Sequence, residues 1–358
     1  MRVIISAGGT GGHIYPALSI IEEIKKQEPD SDILYIGTHN RMEKDIIPAR
    51  GIEYVPIEIY GLTKNIFKNI KNIRLILKAK RDCVKIMKSF KPDVVIGVGG
   101  YVTYPVIKAA QKLHIKTFIH EQNSIPGKAN RWIAKKVDKI GVSFKDSLNY
   151  FNLKKAFVSG NPCSSASINA KPISKKKYGL NKKKKAVLIC YGSLGSSAMI
   201  DKTIEFLKSI GDEDYQVLYV TGKNYYDRVK QNKFPENVFI EPYIDGLPGL
   251  MKNMDLLVSR AGASTIAEVS ALGIPTIFIP SPHVANNHQY YNALSIVDAN
   301  AGKMIEEKNF NKDTLKEEID KIINDDKILK RYSSNLRLLS KDNSAELIYN
   351  EIKNMIGK

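Results

Sequence analysis

The chain is poor in cysteine. Its 358 residues hold three, Cys83, Cys163 and Cys190, far apart and without metal-type spacing. That usage fits a reducing cytosol better than a disulfide framework. Long apolar runs are also missing, since none approaches the roughly 20 residues a membrane helix needs. The N-terminus lacks a basic region followed by an apolar stretch, so neither a spanning helix nor a secretory leader is expected. Acidic residues are scarce beside basic ones, 37 against 55, for a net charge of +18. The deficit is uneven: residues 1–160 carry 27 Lys+Arg and 14 Asp+Glu, or +13, and the remainder 28 and 23, or +5. A lysine-rich composition explains the total but not the asymmetry. A basic half implies nucleic acid, anionic lipid or a polyanionic substrate.

Two nucleotide signatures are absent as well. Residues 4–16 read IISAGGTGGHIYP: an apolar strand, a glycine turn, then a helix expected through residues 17–24. Aligned to G-x-G-x-x-G from Gly9, the third place is Ile14. The second strand, 32–36, ends in Gly37-Thr38 with no acidic residue to hold a ribose. No Gly-Lys-Ser/Thr follows, so NAD and P-loop chemistry are both disfavoured. What the turn offers is unpaired backbone N–H groups at the positive end of a helix, a cradle for an anion such as pyrophosphate. The imidazole of His13 hangs beside it.

Hydrophobic content of 43% is that of a soluble globular protein, and the length suffices for two domains. Strand-like and helix-like segments alternate, which predicts α/β architecture with parallel sheets. First-half strands are expected at 2–6, 32–36, 94–98, 117–120 and 139–142. Second-half strands are expected at 186–190, 216–220, 238–240, 256–258 and 276–279. The restart is similar to the beginning: VIISAGGTG and VLICYGSLG each place an apolar strand before Gly-x-x-Gly, at Gly8/Gly11 and Gly192/Gly195. Gly160-Asn161-Pro162 and the lysine-rich tract 171–185 put a boundary near residue 162. Residues 344–356 read as a further amphipathic helix. Doubly wound domains bind ligands at the carboxyl ends of their strands, here expected to face each other across a cleft.

Gly99-Gly100-Tyr101 follows the strand at 94–98 and forms a second candidate anion cradle. One such turn is most simply a tight bend, but two in one sheet, with Gly192, Gly195 and Gly262 in the other, point to phosphate. His120-Glu121-Gln122-Asn123 places four polar side chains at a strand end, more than a turn needs. Asn130 and Arg131 follow on a helical stretch. In the second half, the strand at 256–258 leads into Ser259-Arg260-Ala261-Gly262-Ala263-Ser264-Thr265. Small residues there let a phosphate approach a helix start, and the hydroxyls can cap it. Glu268, one turn on, can accept two hydroxyl hydrogen bonds from a sugar, with a plain capping carboxylate as the alternative. The loop 280–289 ends in Asn286-Asn287-His288-Gln289, suited to a polyhydroxylated ligand.

GGTGGH, GGY, HEQN, GNP, SRAGAST…E and NHQ…NA occur in that order across nearly the whole chain. Together they resemble the MurG family of peptidoglycan N-acetylglucosaminyltransferases. The resemblance implies a GT-B fold: α/β, two Rossmann-like doubly wound domains with an interdomain cleft. Residues 1–161, joined by the helix 343–358, would take the lipid acceptor and associate with the membrane. Residues 162–342 would take the UDP-sugar donor. The implied reaction transfers N-acetylglucosamine from UDP-N-acetylglucosamine to the 4-hydroxyl of lipid I, N-acetylmuramoyl-(pentapeptide)-pyrophosphoryl-undecaprenol. The product is lipid II, which links the chain to cell-wall biogenesis, cell shape and cell division.

Carried over residue by residue, Glu268 would hold the ribose hydroxyls, while Ser264 and Thr265 would meet the diphosphate beside Arg260 and Gly262. Gln289 would contact the donor sugar with His288 next to it, and Ser193 lies in the loop covering the donor phosphates. Thr10, Gly11, Gly12, Gly99, Gly100 and Tyr101 would receive the acceptor's pyrophosphate. His13, Glu121, Asn123 and Asn130 would sit near the reacting hydroxyl. No cofactor and no obligatory metal are implied, since the helix start at Ser264 and Thr265 would assist UDP departure. The implied partners are UDP-N-acetylglucosamine, lipid I, an anionic membrane surface and other cell-wall synthesis proteins, without nucleic acid. The implied location is the cytoplasmic face of the cell membrane, peripherally bound. The chain departs from the family pattern at Leu194 in the donor loop and at Cys163-Ser164 after GNP. It departs again at Thr103-Tyr104, a larger pair that would narrow the acceptor entrance.

The implied reaction inverts the anomeric centre and needs a base for the acceptor hydroxyl. A helix N-terminus disfavours an added positive charge, which suits a neutral imidazole at His13. Glu121 is the competing base, and His13 could instead only hold the acceptor diphosphate. Residues 64–91 carry ten basic residues against one acid, Asp82, with Ile66, Ile70, Ile73 and Leu77 at helical spacing. This reads either as a helix buried on one side with a solvated basic face, or as a surface docking onto anionic lipid. A related glycosyltransferase using diacylglycerol, an epimerase of the same architecture and a non-enzymatic polyanion binder are the alternatives. The last explains the charge but not four glycine turns at strand ends.

Overall fold

A computed structural model describes residues 1–61, 63, 66–192, 194–211 and 213–357. They divide into two compact units, Met1–Ser165 with Asn343–Lys358, and Ala166–Asp342. The first unit holds strands β1 (Arg2–Ser6), β2 (Asp32–Thr38), β3 (Glu53–Ile57), β4 (Val94–Gly97), β5 (Lys116–Glu121), β6 (Lys139–Val142) and β7 (Ala156–Val158). They form one sheet in the order β3-β2-β1-β4-β5-β6-β7, with every pairing parallel. The second unit holds β8 (Ala186–Cys190), β9 (Gln216–Val220), β10 (Val238–Glu241), β11 (Leu256–Ser259), β12 (Thr276–Phe278) and β13 (Lys303–Met304). Their order is β10-β9-β8-β11-β12-β13, again all parallel.

Both sheets are doubly wound, with the order reversing between β1 and β4 in the first and between β8 and β11 in the second. At such a switch point the connecting helices leave to opposite faces, and a crevice opens at the carboxyl ends of the two strands. Each central strand is a continuous apolar run because helices cover both faces. On β1, Val3 and Ile5 face Ile14, Ile20 and Ile24 of the helix Gly11–Gln27. Ile4 points the other way, into a cluster with Cys83 and Met87. The three strands that sequence patterning misses are β3, β7 and β13, each at a sheet edge and half-exposed.

The helix Ser344–Ile356 returns to the first unit and buries Ile348 and Ile352 against the helix Gly11–Gln27. Glu28 fastens it, accepting from Lys353 Nζ at 2.5 Å, Tyr349 Oη at 3.0 Å and the Met1 ammonium at 3.1 Å. The Lys353 hydrogen bond, assisted by the ammonium and Tyr349, pulls the Glu28 carboxyl down to about 2. In the helix Ile66–Phe90 the apolar stripe does not face inward. Asn72, Ala79, Cys83 and Met87 are buried instead, while Phe67, Ile70, Ile73 and Leu77 are exposed.

Candidate functional site

At the first switch point two glycine turns pack on each other. Gly9, Gly99 and Gly100 have φ of +91°, +106° and +86°, conformations that side chains with a Cβ rarely adopt. Gly8 N–H donates to Gly99 O at 3.3 Å, and a Cβ on Gly100 would run into the Gly8 carbonyl. A Cβ on Gly99 would lie 2.5 Å from Cδ2 of His13, so the bare glycine lets the imidazole rest against it. Thr10 is the N-cap of the helix Gly11–Gln27 and makes no side-chain cap; its carbonyl takes the His13 N–H at 3.1 Å, which leaves the Gly11 and Gly12 N–H groups to be met from outside. His13 is half-buried, with Nδ1 3.2 Å from Gly8 O and 3.4 Å from Thr10 Oγ1. A carbonyl only accepts, so Nδ1 carries a proton, and in the neutral imidazole the lone pair then sits on Nε2. Tyr101 lies against both Gly9 and Gly61.

Two further residues hold these turns: Thr103, expected above to narrow the acceptor entrance, and Glu43, which sequence patterning misses. Thr103 is fully buried, and its hydroxyl donates to Gly99 O at 2.9 Å and Ser6 O at 3.2 Å. It therefore braces the turns from inside and does not narrow an entrance. Glu43, also fully buried, accepts from Gly9 N at 3.2 Å, Thr38 N at 3.1 Å and Thr38 Oγ1 at 2.5 Å.

The polar quartet after β5 splits by role. His120 donates from Nε2 to Gly160 O at 2.9 Å and accepts on Nδ1 from Gln122 at 3.0 Å, and burial pulls it down to about 4. Gln122 also donates to Val98 O at 2.8 Å, tying β5 to the end of β4. Glu121 is buried, which pushes its carboxyl up against four opposing donors. Its Oε1 accepts from Asn123 N at 3.0 Å and Asn123 Nδ2 at 3.3 Å. Its Oε2 accepts from Gly127 N at 3.0 Å and Asn130 Nδ2 at 2.9 Å. Asn130 keeps Oδ1 without a partner. At Cys163-Ser164, the Cys163 N–H donates to Asn161 Oδ1 at 3.1 Å, and Ser164 Oγ donates to Asn161 O at 2.7 Å and meets Ser344 Oγ at 3.1 Å. That departure serves the start of the last helix.

The second switch point repeats the layout. Gly192 and Gly195 have φ of +95° and +73°, and Gly195 fits closely under Thr221 O. Ser193 lies outside the described residues, and Leu194 is exposed. Arg260 is buried and wired inward: Nη1 donates to Ile279 O at 3.0 Å and pairs with Glu307 at 2.6 Å, and Nη2 donates to Ser196 Oγ at 2.9 Å. Gly262 is the N-cap of the helix Ala263–Leu272 and offers no side-chain cap. Ser264 Oγ has no partner among the described residues, and Thr265 stands beside it in the first turn. Glu268 follows on the same helix with no hydrogen bond or ion pair among the described residues, and burial alone pushes its carboxyl up to about 7.

His288 and Gln289 open the helix His288–Asp298, which Asn292, the second asparagine of the NHQ…NA element, ties to Ala261 O at 3.2 Å. His288 Nδ1 donates to Ala285 O at 2.8 Å, and burial lowers its basicity. Gln289 Oε1 accepts from Ser281 N at 2.9 Å.

Among the described residues no group of three or more His, Cys, Asp or Glu could hold a metal ion. The sequence holds two Asp-x-Asp triplets, 30–32 and 212–214; the first runs into β2 and so stands at the amino edge of its sheet, and the second includes a residue outside the described ones. A cavity of about 830 Å³ lies at that same amino edge of the first sheet, lined by Arg2, Ser31, Glu53 and Phe90 among others, away from the glycine turns.

Residues 3–142 match the glycosyltransferase family 28 N-terminal domain and residues 186–348 its C-terminal domain. The UDP-N-acetylglucosamine--N-acetylmuramyl-(pentapeptide) pyrophosphoryl-undecaprenol N-acetylglucosamine transferase of Bacillus cytotoxicus is 43% identical over 364 residues, covering 100% of both chains. The crystal structure of Acinetobacter baumannii MurG superposes with a TM-score of 0.79 at 25% identity over 99% of both chains. A putative UDP-N-acetylglucosamine 2-epimerase from Listeria monocytogenes shares the fold, with a TM-score of 0.72 at 14% identity over 99% of this chain and 96% of that one.

Proposed function

The chain belongs to glycosyltransferase family 28, and from that premise we propose its reaction and the residues that carry it. It is a UDP-N-acetylglucosamine-dependent glycosyltransferase that makes lipid II from lipid I in peptidoglycan synthesis. The observation that carries the donor assignment is Glu268, a carboxyl with no hydrogen-bond or ion-pair partner among the described residues, one turn past a helix start. A ribose diol supplies the two donors it lacks. The Ala263 helix start, with Ser264 and Thr265, meets the diphosphate, and Gln289 and His288 attend the sugar. Arg260 acts through Ser196, holding the start of the helix Ser197–Ser209 behind the donor loop.

The acceptor's pyrophosphate takes the turns of Thr10, Gly11, Gly12, Gly99, Gly100 and Tyr101. His13 Nε2 receives the proton of the acceptor 4-hydroxyl as that oxygen bonds to C1 of the donor sugar. The C1–O bond breaks with its electron pair leaving on UDP, and in-line attack inverts the centre. Glu121 is a positioning residue in this reading, its two oxygens already committed to the backbone and side chains of 123–130. The helix start meets the charge developing on UDP, so turnover is expected to survive EDTA. The exposed Phe67, Ile70, Ile73 and Leu77 among basic residues support peripheral binding to anionic lipid on the cytoplasmic face. No helix among the described residues is long and apolar enough to span a membrane.

UDP release from UDP-N-acetylglucosamine tests the reaction. Release is expected only with a lipid I analogue. Equal release without any lipid, or with diacylglycerol in its place, would overturn the assignment.

A further inference from the structure

Glu43 sits where the reaction above gives it no part, yet it is fully buried beneath the first glycine turn. Gly8 has no room for a side chain because the Glu43 carboxylate fills that space, and a Cβ on Gly37 would lie 2.9 Å from Glu43 Cγ. The carboxylate accepts from Gly9 N–H at 3.2 Å. In a trans peptide the N–H and the preceding C=O point in opposite directions. With Gly9 N–H turned onto Glu43, the Gly8 carbonyl is turned the other way, where it accepts from His13 Nδ1 at 3.2 Å. The φ of +91° at Gly9 would let this peptide plane rotate at little cost were nothing holding it. Glu43 is itself anchored by Thr38 N and Oγ1 at the end of β2.

We infer that Glu43 is a positioning residue for His13, acting through the Gly8–Gly9 peptide to keep the proton on Nδ1 and the lone pair on Nε2. The inference rests on His13 as base. It differs from a direct carboxylate–imidazole pair in that one peptide group lies between them. Orienting partners of this kind commonly matter by about 10–100-fold.

The test compares Glu43→Ala and Glu43→Gln in native and His13→Ala backgrounds, each variant checked for a native melting transition. Glutamine keeps a carbonyl for Gly9 N–H, and its amide can donate to Thr38 Oγ1 at the loss of the Thr38 N–H bond. Glu43→Ala is expected to lower kcat about 10–100-fold, with KM for UDP-N-acetylglucosamine unchanged, and Glu43→Gln to recover most of it. In the His13→Ala background the Glu43 substitutions are expected to add no further loss. The ¹⁵N shifts of His13 are expected to report an Nδ1–H tautomer in the native protein and in Glu43→Gln, and a mixture in Glu43→Ala. Normal turnover in His13→Ala would remove the base assignment itself. A slow His13→Ala enzyme with unaffected Glu43→Ala turnover, or equal Glu43→Ala losses in both backgrounds, would overturn the relay alone. Should Glu43→Ala not fold, a His13 tautomer unchanged in Glu43→Leu would overturn it.

Discussion

Replacing Glu268 by glutamine should stabilise the free protein and weaken its donor complex. Burial raises the carboxyl from an ordinary 4.5 to about 7, with no cation or donor offsetting it. A folded-state value above the unfolded one means the stability contribution is whole below about pH 4.5 and lost as pH rises through about 7. A shift of that size corresponds to about 3 kcal/mol at most, and partial exposure reduces it to about 1–2 kcal/mol. Glutamine removes the charge and so removes the penalty. At pH 8.5 Glu268→Gln should melt a few degrees above the native protein, about 2–4 °C per kcal/mol, and at pH 4.5 the two should coincide.

Binding moves the other way. Two hydroxyls donating to a carboxylate are worth about 1.5–3 kcal/mol each, whereas an amide oxygen forms weaker neutral bonds. Loss of roughly 2 kcal/mol weakens UDP-N-acetylglucosamine about 30-fold. Because the ligand prefers the ionised carboxylate, native affinity should rise with pH up to about 7 and then level off, while that of Glu268→Gln stays flat. Calorimetric titration at pH 5.5, 7 and 8.5 and thermal melts at pH 4.5 and 8.5 read both effects. A variant that binds normally, or that is less stable than native at pH 8.5, would refute this account of Glu268.

His13→Ala should lower turnover about 100-fold or more with donor KM little changed, as loss of an acid–base group does; steady-state kinetics decide it, and near-normal kcat would leave His13 only a phosphate ligand. Gly100→Ala combines a positive φ with a clash against the Gly8 carbonyl, so it should cost more than about 2 kcal/mol. Gly51→Ala, at φ +70° in open space, should cost about 1 kcal/mol, and equal denaturant midpoints for the two would contradict the close packing of the turns. Ile70→Ser with Ile73→Ser should leave the melting temperature unchanged while reducing cosedimentation with vesicles containing anionic lipid. Native binding should also fall with salt, because each basic residue near such a surface contributes about 1 kcal/mol; binding indifferent to salt and to lipid charge would count against that face.

The central strands and the glycine turns were legible because each is written locally. Strands such as 186–190 are apolar at every position since both faces are covered. Positive φ at Gly9, Gly99 and Gly192 forces glycine into the sequence wherever the turn occurs. Edge strands are less explicit: Glu53–Ile57 contains a proline and buries only its last residue. The helix at 66–90 was readable from its period, yet the period could not say which stripe faces the sheet. Packing chose Ala79, Cys83 and Met87 and left the larger Ile70, Ile73 and Leu77 outside. Thr103 and Gln122 were invisible as supports because their partners are backbone carbonyls distant in sequence, Ser6 O and Val98 O.

Three carboxylates near these turns carry one sequence signal, an acid close to a glycine or polar strand end, and they separate only by what surrounds them. Glu43 is met by three donors and Glu121 by four, all from the protein itself. Glu268 is met by none among the described residues. An ionised carboxylate taken out of water needs donors, and the fold provides them wherever the group serves the fold. Where it provides none, the carboxyl titrates near neutrality instead of at its usual acidity. A carboxyl shifted by burial with no partner beside it marks a candidate ligand site. The two saturated acids therefore set geometry, and the unsaturated one is left for a ligand that brings its own hydroxyls.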